Sequence, residues 1–422
     1  MSFGRTSHLT ARIAGKASWN LVDQVLSAAS NLALTVVMAR ATDAIGFGAF
    51  SAAFLVYSLV IGLARSAFGQ PLQVRATHLR PEDTASVYGA AVAAGLGAGA
   101  FAGVMCAISS IFLGGTSSAL LGLGICMPAL LMQDCCRFVS FSKGEAKKAA
   151  QNDALWALLS FGALALLVRH GERSQFMLTL AWGGGGVCAG LYGLRQHCIR
   201  PRLLGAFGWA FRQRDISGYF TAEFFLGQGF AITSTLLVGL LASAAGLGSF
   251  RASQVLLGPL NIIGTAAFTY TIPEVARNPQ LGSRQRLRIS WVVAGIMGAV
   301  ATGYGAAVVF LPGSLGVAMF GATWPGAREL LPAVAVGAVI NSLATGPAAV
   351  LYGMGRARTT FALHLITAPL MPVGILLGFA LNGVLGAAWG VALTQVLSAP
   401  LWFFRVSQVV HKLPGTTEDP HL

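Results

Sequence analysis

The sequence predicts an all-α, polytopic membrane protein with about twelve transmembrane helices in two similar six-helix halves. Three observations predict this fold class: the composition, the spacing of apolar segments and the distribution of positive charge. Of 422 residues, 55% are hydrophobic and only 10% are charged, whereas soluble domains average about 25% charged residues. The apolar residues recur in windows of about 20, the length that a helix needs to cross a bilayer.

Twelve segments have this length and character, and their boundaries are good to a few residues. They are 17–39, 46–64, 86–111, 118–136, 152–169, 176–194, 218–241, 246–272, 289–311, 330–351, 359–381 and 383–404. The first segment is the least apolar because four polar side chains interrupt it.

The positions of the basic residues predict the orientation of these helices. The net charge is +14, which by itself would be compatible with nucleic-acid binding. With both termini in the cytoplasm, however, most basic residues fall on the cytoplasmic side, as the positive-inside rule requires. The outer ends and loops hold only Arg40, Arg169, Arg173, Arg251 and Arg328. We therefore expect a multi-pass protein of the cytoplasmic membrane that binds no nucleic acid, with an N-terminal segment that is retained and not removed as a signal peptide.

An internal repeat supports the division into halves. A shift of about 200 residues places Phe47–Phe50 on Leu247–Phe250 and Asp23 on Glu223, and repeats of this kind are common in transporters. Six predicted spans separate the copies, so both copies have the same orientation. The predicted domains are an N-terminal bundle (1–200), a basic amphipathic cytoplasmic linker (201–217) that suits lipid headgroups, and a C-terminal bundle with a short tail (218–422).

Two acidic residues inside spans are candidates for a substrate or ion site. Asp23 and Glu223 are equivalent under the repeat, and a carboxylate at bilayer depth costs about 2.5 to 3.5 kcal/mol on insertion scales. Asn20, Gln24 and Asn31 extend a polar stripe beside Asp23. The pair could bind a proton, a sodium ion or polar substrate groups, or it could serve only to join neighbouring helices. Beyond such a coupling ion, the sequence predicts no cofactor.

A second group of charges lies near the predicted cytoplasmic rim. Asp134 and Arg137 are three residues apart, and Asp153 opens the next span, so a local ion network is expected; its role could be purely structural. Arg65 and Arg251 are candidate phosphate contacts because guanidinium groups suit phosphate. Extension of the two side chains towards lipid headgroups explains them equally well.

Motifs of catalysis are absent from the sequence. It contains no G-x-x-x-x-G-K-[ST], H-E-x-x-H or G-x-S-x-G pattern. The six cysteines follow neither disulfide nor metal spacing, and we expect no metal site. Glycine runs such as Gly183–Gly186 are interpreted as sites of close helix packing. We expect a protein that is not an enzyme.

Short motifs in both halves resemble a known family. Ser18–Gln24, Phe47–Ser51 and Gln70–Arg75 are similar to the opening of the polysaccharide-biosynthesis (Wzx-like) membrane proteins of the multidrug/oligosaccharidyl-lipid/polysaccharide (MOP) flippase superfamily. Phe320–Ala327, leading to Leu351–Arg356, is similar to the tenth-helix region of that family.

The resemblance implies a MATE-like fold, with two six-helix bundles around a central cavity. It also implies a flippase that moves a polyprenyl-linked oligosaccharide or related glycolipid by alternating access. It implies as partners the bilayer, a lipid-linked saccharide and possible glycan-assembly proteins. Few arginines lie deep inside the spans, which departs from the cationic cavity that a pyrophosphate-linked substrate would need. A cation-coupled multidrug or metabolite antiporter of the same superfamily, and a membrane scaffold without transport activity, are the alternatives.

Overall fold

The computed structural model describes residues 29–76, 80–112, 114 and 117–412, and these residues form helices joined by short connections. In chain order the helices are α1 Ala29–Ala41, α2 Ala44–Ala76, α3 Pro81–Phe112, α4 Ser117–Ser142, α5 Ala146–Arg169, α6 Gln175–His197, α7 Leu203–Arg212, α8 Arg214–Leu241, α9 Ala244–Leu256, α10 Pro259–Arg277, α11 Ser283–Val309, α12 Gly313–Phe320, α13 Trp324–Leu343, α14 Thr345–Gly353, α15 Ala357–Thr367 and α16 Leu370–His411. Five-residue π-turns interrupt α2 at Arg65–Gly69 and α8 at Phe225–Gly229.

These helices confirm a multi-pass, all-α membrane protein. Within the described residues, nine helical segments are long and apolar enough to span a membrane, or ten if α9 and α10, which meet at 45°, count as one span. Of the first predicted span, 17–39, only the part from residue 29 onward lies within the described chain. The total of twelve stays a prediction.

The chain divides into two compact units, residues 1–225 and 226–422. In the first unit α4 is central and packs against α3, α5 and α6. Glycines permit the close approach of α3: a Cβ atom on Gly99 would lie 2.6 Å from the Met127 carbonyl oxygen. The predicted linker 201–217 forms α7 and the start of α8 within this unit, where Ala206 and Trp209 pack into the core beside α3.

In the second unit α13 packs against α11 and α16. The helical conformation of α16 breaks at Asn382 and Gly383, where the predicted span 359–381 ends and the span 383–404 begins. Gly383 has φ +54° and ψ −140°, a conformation open essentially only to glycine. Gly378 and Gly386 face each other across this break, so the two arms of α16 form a hairpin.

The predicted repeat appears in the local structure of the two units. Asp43 caps α2 by accepting a hydrogen bond of 2.7 Å from the Gly46 amide, and Ser243 caps α9 by accepting one of 3.1 Å from the Gly246 amide. Phe50 and Phe250, at the equivalent position one turn further on, are both buried. Side-chain caps of this type satisfy amide groups that have no partner within the helix, so the same local signal begins both helices.

Candidate functional site

A network of four charged side chains, centred on the buried Asp134, is the strongest candidate site in the first unit. Arg65 donates two hydrogen bonds to the Asp134 carboxylate, from Nη2 at 2.8 Å and from Nε at 3.0 Å. Arg137 bridges Asp134, at 3.1 Å, and Asp153, at 2.8 Å. The Asp134 side chain is 4% exposed and the Arg65 side chain 40% exposed. Two positive and two negative charges balance, as buried charges require.

The π-turn in α2 presents Arg65 to α4. A turn of this kind inserts an extra residue into a helix and is frequent at functional sites. Ser217 of α8 donates to the Ala67 carbonyl at 2.7 Å and so satisfies one of the acceptors in this turn. Gly69, at the end of the turn, faces Phe138, whose ring would lie 2.7 Å from any added Cβ atom. A side chain at position 69 would therefore push α2 away from α4.

Amide side chains extend the network further into the unit. Gln133 donates to Asn152 at 2.8 Å and to Asp153 at 3.2 Å, and Asn152 donates to the Ala189 carbonyl of α6 at 2.8 Å. The Gln133 side-chain oxygen is buried and accepts no hydrogen bond from the described part of the chain. Such an atom is a natural partner for a water molecule, a proton donor or a cation.

A group of aromatic side chains continues from the network along α5. Trp156 lies one helical turn beyond Asp153, with its ring 5.9 Å from that of Trp182 on α6. Tyr57 of α2 meets Trp182 edge-on at 5.0 Å. The Trp156 indole and the Ser160 hydroxyl both donate to the Trp182 carbonyl. These contacts fix the orientation of α2, α5 and α6 around the charged groups.

The structure brings together Asp134, Arg137 and Asp153, which the sequence had grouped, and adds Arg65, which it had placed apart as a phosphate contact. Arg251 lies on α9 in the other unit. Glu223 lies half-buried on α8 and has no hydrogen-bond or ion-pair partner among the described residues.

Asn31 is exposed, and its carbonyl accepts from Thr35. Asn20, Asp23 and Gln24 fall outside the described residues, so the expected pairing of Asp23 with Glu223 stays a prediction.

A Ser–His–Glu arrangement lies elsewhere in the first unit and was not anticipated. Ser140 Oγ is 2.7 Å from His197 Nε2, and His197 Nδ1 is 3.7 Å from the Glu145 carboxylate. Ser140 is 1% exposed and its hydroxyl also bonds to the Cys136 carbonyl, so a substrate has no access to this oxygen. We interpret the group as a link between α4 and α6. No cluster of metal-binding side chains occurs within the described ranges.

Comparison with known proteins identifies the fold. No family model and no curated protein sequence matches the chain. Three solved structures illustrate the likeness. The lipid II flippase MurJ in an inward closed conformation has a TM-score of 0.71 and 10% identity, with 91% of this chain and 86% of that chain covered. An inward-facing multidrug-resistance MATE transporter of the MOP superfamily has a TM-score of 0.71 and 13% identity, with 91% of this chain and 96% of that chain covered. A MOP-superfamily transporter from Pyrococcus furiosus has a TM-score of 0.54 and 12% identity, with 95% of each chain covered.

Proposed function

We propose that this chain, which has the fold of the MOP-superfamily transporters, is a flippase of the cytoplasmic membrane. Its substrate is a polyprenyl-linked oligosaccharide or related glycolipid used in cell-surface polysaccharide biosynthesis, and it moves this substrate by alternating access. The multi-pass architecture and a fold shared with the lipid II flippase MurJ support this proposal.

The observation that carries the proposal is that Arg65 is paired with Asp134 and is still partly exposed. Its guanidinium is held by Asp134 through Nε and one N–H of Nη2, while 40% of the side chain stays exposed. A guanidinium has five N–H donors, so those not used on Asp134 can bind a phosphate oxygen of a lipid-linked substrate. Asp134 keeps its bond to Arg137, and Arg65 can therefore turn towards a substrate without leaving that buried carboxylate unpaired.

A cation-coupled antiporter is the second candidate, favoured by the buried carboxylates. Asp134 and Asp153 share Arg137, and the Gln133 side-chain oxygen beside them accepts no bond within the described chain. A proton or sodium ion entering here would compete with Arg137 for a carboxylate and rearrange the network. Asp23 and Glu223 are further proposed ion or substrate contacts, on the strength of their equivalent positions in the repeat.

Reconstituted proteoliposomes test both candidates. We expect wild-type protein to translocate a fluorescent polyprenyl-linked glycan, and we expect Arg65→Gln to reduce this rate at least tenfold. Arg169→Gln is the matched control because Arg169 is an exposed arginine at the end of α5, and it should transport normally. A parallel assay follows a cationic dye under an imposed proton or sodium gradient.

The outcomes separate the candidates. Glycan movement that fails only in Arg65→Gln supports the flippase with Arg65 as a substrate contact. Dye movement that depends on the gradient and stops in Asp153→Asn, without glycan movement, supports the antiporter. If neither probe moves in wild-type liposomes, the flippase proposal is rejected for these substrates and a scaffold role becomes the better explanation.

A further inference from the structure

A groove of about 580 Å³ lies on the surface of the first unit, between α2, α7 and the start of α8. Its walls are almost wholly apolar. They include Leu63 and Phe68 from α2, Phe207 and Phe211 from α7, and Ala222 and Phe225 from α8. The volume is within the range of about 300 to 1,000 Å³ that is typical of small-molecule sites.

One end of the groove carries a positive charge. The Arg214 guanidinium lies 4.2 Å from the centre of the Phe211 ring, and Phe211 stacks on Phe207 at 6.3 Å. The neighbouring carboxylate of Asp215 is held by Arg75 at 2.6 Å. Within the described residues no carboxylate lies at ion-pair distance from Arg214, so its charge is available to an anion from outside the protein.

We propose that this groove binds one anionic phospholipid of the surrounding membrane. An acyl chain lies along the aromatic walls, and the phosphate meets Arg214. The observations behind this assignment are the apolar walls, the charge at one end and the exposure of Phe207 and Phe211, which are 83% and 54% exposed. The lipid would cover these rings and connect α7 to α8. The inference rests on the membrane location and holds whether or not the chain is a flippase.

The terminal segments 1–28 and 413–422 lie outside the described residues and are the other candidates to occupy the groove. Their charge and composition disfavour both. Residues 1–28 carry Arg5, Arg12 and Lys16 against the single carboxylate of Asp23, so Arg214 repels them. Residues 413–422 are acidic but have only two large apolar side chains, Leu413 and Leu422, at their opposite ends, and the polar side chains between them gain little from aromatic walls. An anionic lipid complements both the charge and the apolar surface.

Native mass spectrometry of the full-length protein in detergent, with phosphatidylglycerol added, tests the site. Gly218 lines the groove, and a Cβ atom there would meet nothing within 4 Å, so Gly218→Leu adds a side chain to the groove from an open position. Gly205 on α7 is equally open but lies outside the groove, and Gly205→Leu is the matched control. We expect one retained lipid on wild-type protein and on Gly205→Leu, and at least fivefold less on Gly218→Leu.

A second pair of variants tests the charge. One basic residue near an anionic headgroup contributes about 1 kcal/mol, which is roughly fivefold in affinity. We expect Arg214→Gln to weaken phosphatidylglycerol binding by about this factor, and phosphatidylcholine binding by less, because the choline cation of that lipid offsets the charge of its phosphate. Arg200→Gln removes the same charge from an exposed position away from the groove and should have no effect. Thermal unfolding of all four variants checks that they are folded.

Three results would overturn the proposal. Equal retention by Gly218→Leu and Gly205→Leu would show that the lipid binds elsewhere. Equal affinity of wild type and Arg214→Gln for phosphatidylglycerol would remove the charged contact. Displacement of phosphatidylglycerol by an equal concentration of polyprenyl phosphate would assign the groove to a substrate tail instead of a membrane phospholipid.

Discussion

Asp134 holds two arginines in the first unit, and its replacement tests the network at the scale of a single residue. In Asp134→Asn, Arg65 and Arg137 both lose a charged partner, and the Arg137 side chain is only 11% exposed. Removing one partner of a fully buried pair typically costs about 3 to 5 kcal/mol. The loss here is smaller, because Arg137 keeps Asp153 at 2.8 Å and the Arg65 side chain is 40% exposed. We expect the midpoint of thermal unfolding in detergent to fall accordingly.

A matched exposed carboxylate provides the control for this substitution. Glu82 pairs with Arg80 at 3.4 Å, but its side chain is 69% exposed. Exposed ion pairs contribute about 0 to 1 kcal/mol, so Glu82→Gln should unfold within a few degrees of wild type. If the two variants unfold at the same temperature, the network does not stabilise the unit.

The sequence predicted part of this site, and the distance along the chain explains which part. Asp134 and Arg137 are three residues apart on one helix, so their proximity follows from helical geometry alone. Arg65 and Asp134 are 69 residues apart, and nothing in one sequence specifies which distant helices meet. The requirement that charges inside spans be paired was the available signal. It predicts that Arg65 has an acidic partner, but not that this partner is Asp134.

At the scale of elements, glycine spacing determines how the two arms of α16 pack. Gly374 and Gly378 on one arm face Gly390 and Gly386 on the other, and a Cβ atom on either Gly378 or Gly386 would overlap the carbonyl oxygen of the other. Small residues four apart allow helices in membranes to approach closely. Hydropathy predicted both arms and the break between them, but it carries no information on this contact or on the π-turn at Arg65.

Gly378→Leu tests the hairpin directly. The added side chain must separate the two arms, and overpacking of this kind costs about 1 to 3 kcal/mol or more. We expect a lower midpoint of thermal unfolding in detergent. Gly303 on α11 is also a glycine of a spanning helix, but nothing lies within 4 Å of its Cβ position, so Gly303→Leu should leave the midpoint unchanged. Equal midpoints would mean that the arms tolerate separation.

At the scale of the whole molecule, periodic features of the sequence were the most informative. The apolar windows gave the multi-pass helical fold, and the repeat is visible in the equivalent caps of α2 and α9 at Asp43 and Ser243. Both signals depend on many residues, so single substitutions hardly weaken them. The choice of substrate depends on a few side chains. For those around Asp23, a single sequence gives the residue types but not the groups that they contact. This difference explains why the fold was predictable and the substrate remains a proposal.

The distribution of arginine and lysine makes one further prediction, the orientation of the whole chain. Cys198 is exposed and follows α6 on the side that the positive-inside rule places in the cytoplasm. His170 is exposed in the turn after α5, on the side predicted to face outward. A membrane-impermeant maleimide should therefore label His170→Cys in intact cells, whereas Cys198 should react only after permeabilisation and Cys198→Ser should lose that signal. Labelling of native Cys198 in intact cells, with His170→Cys protected, would place both termini outside and reverse the proposed direction of access to every charged group in the first unit.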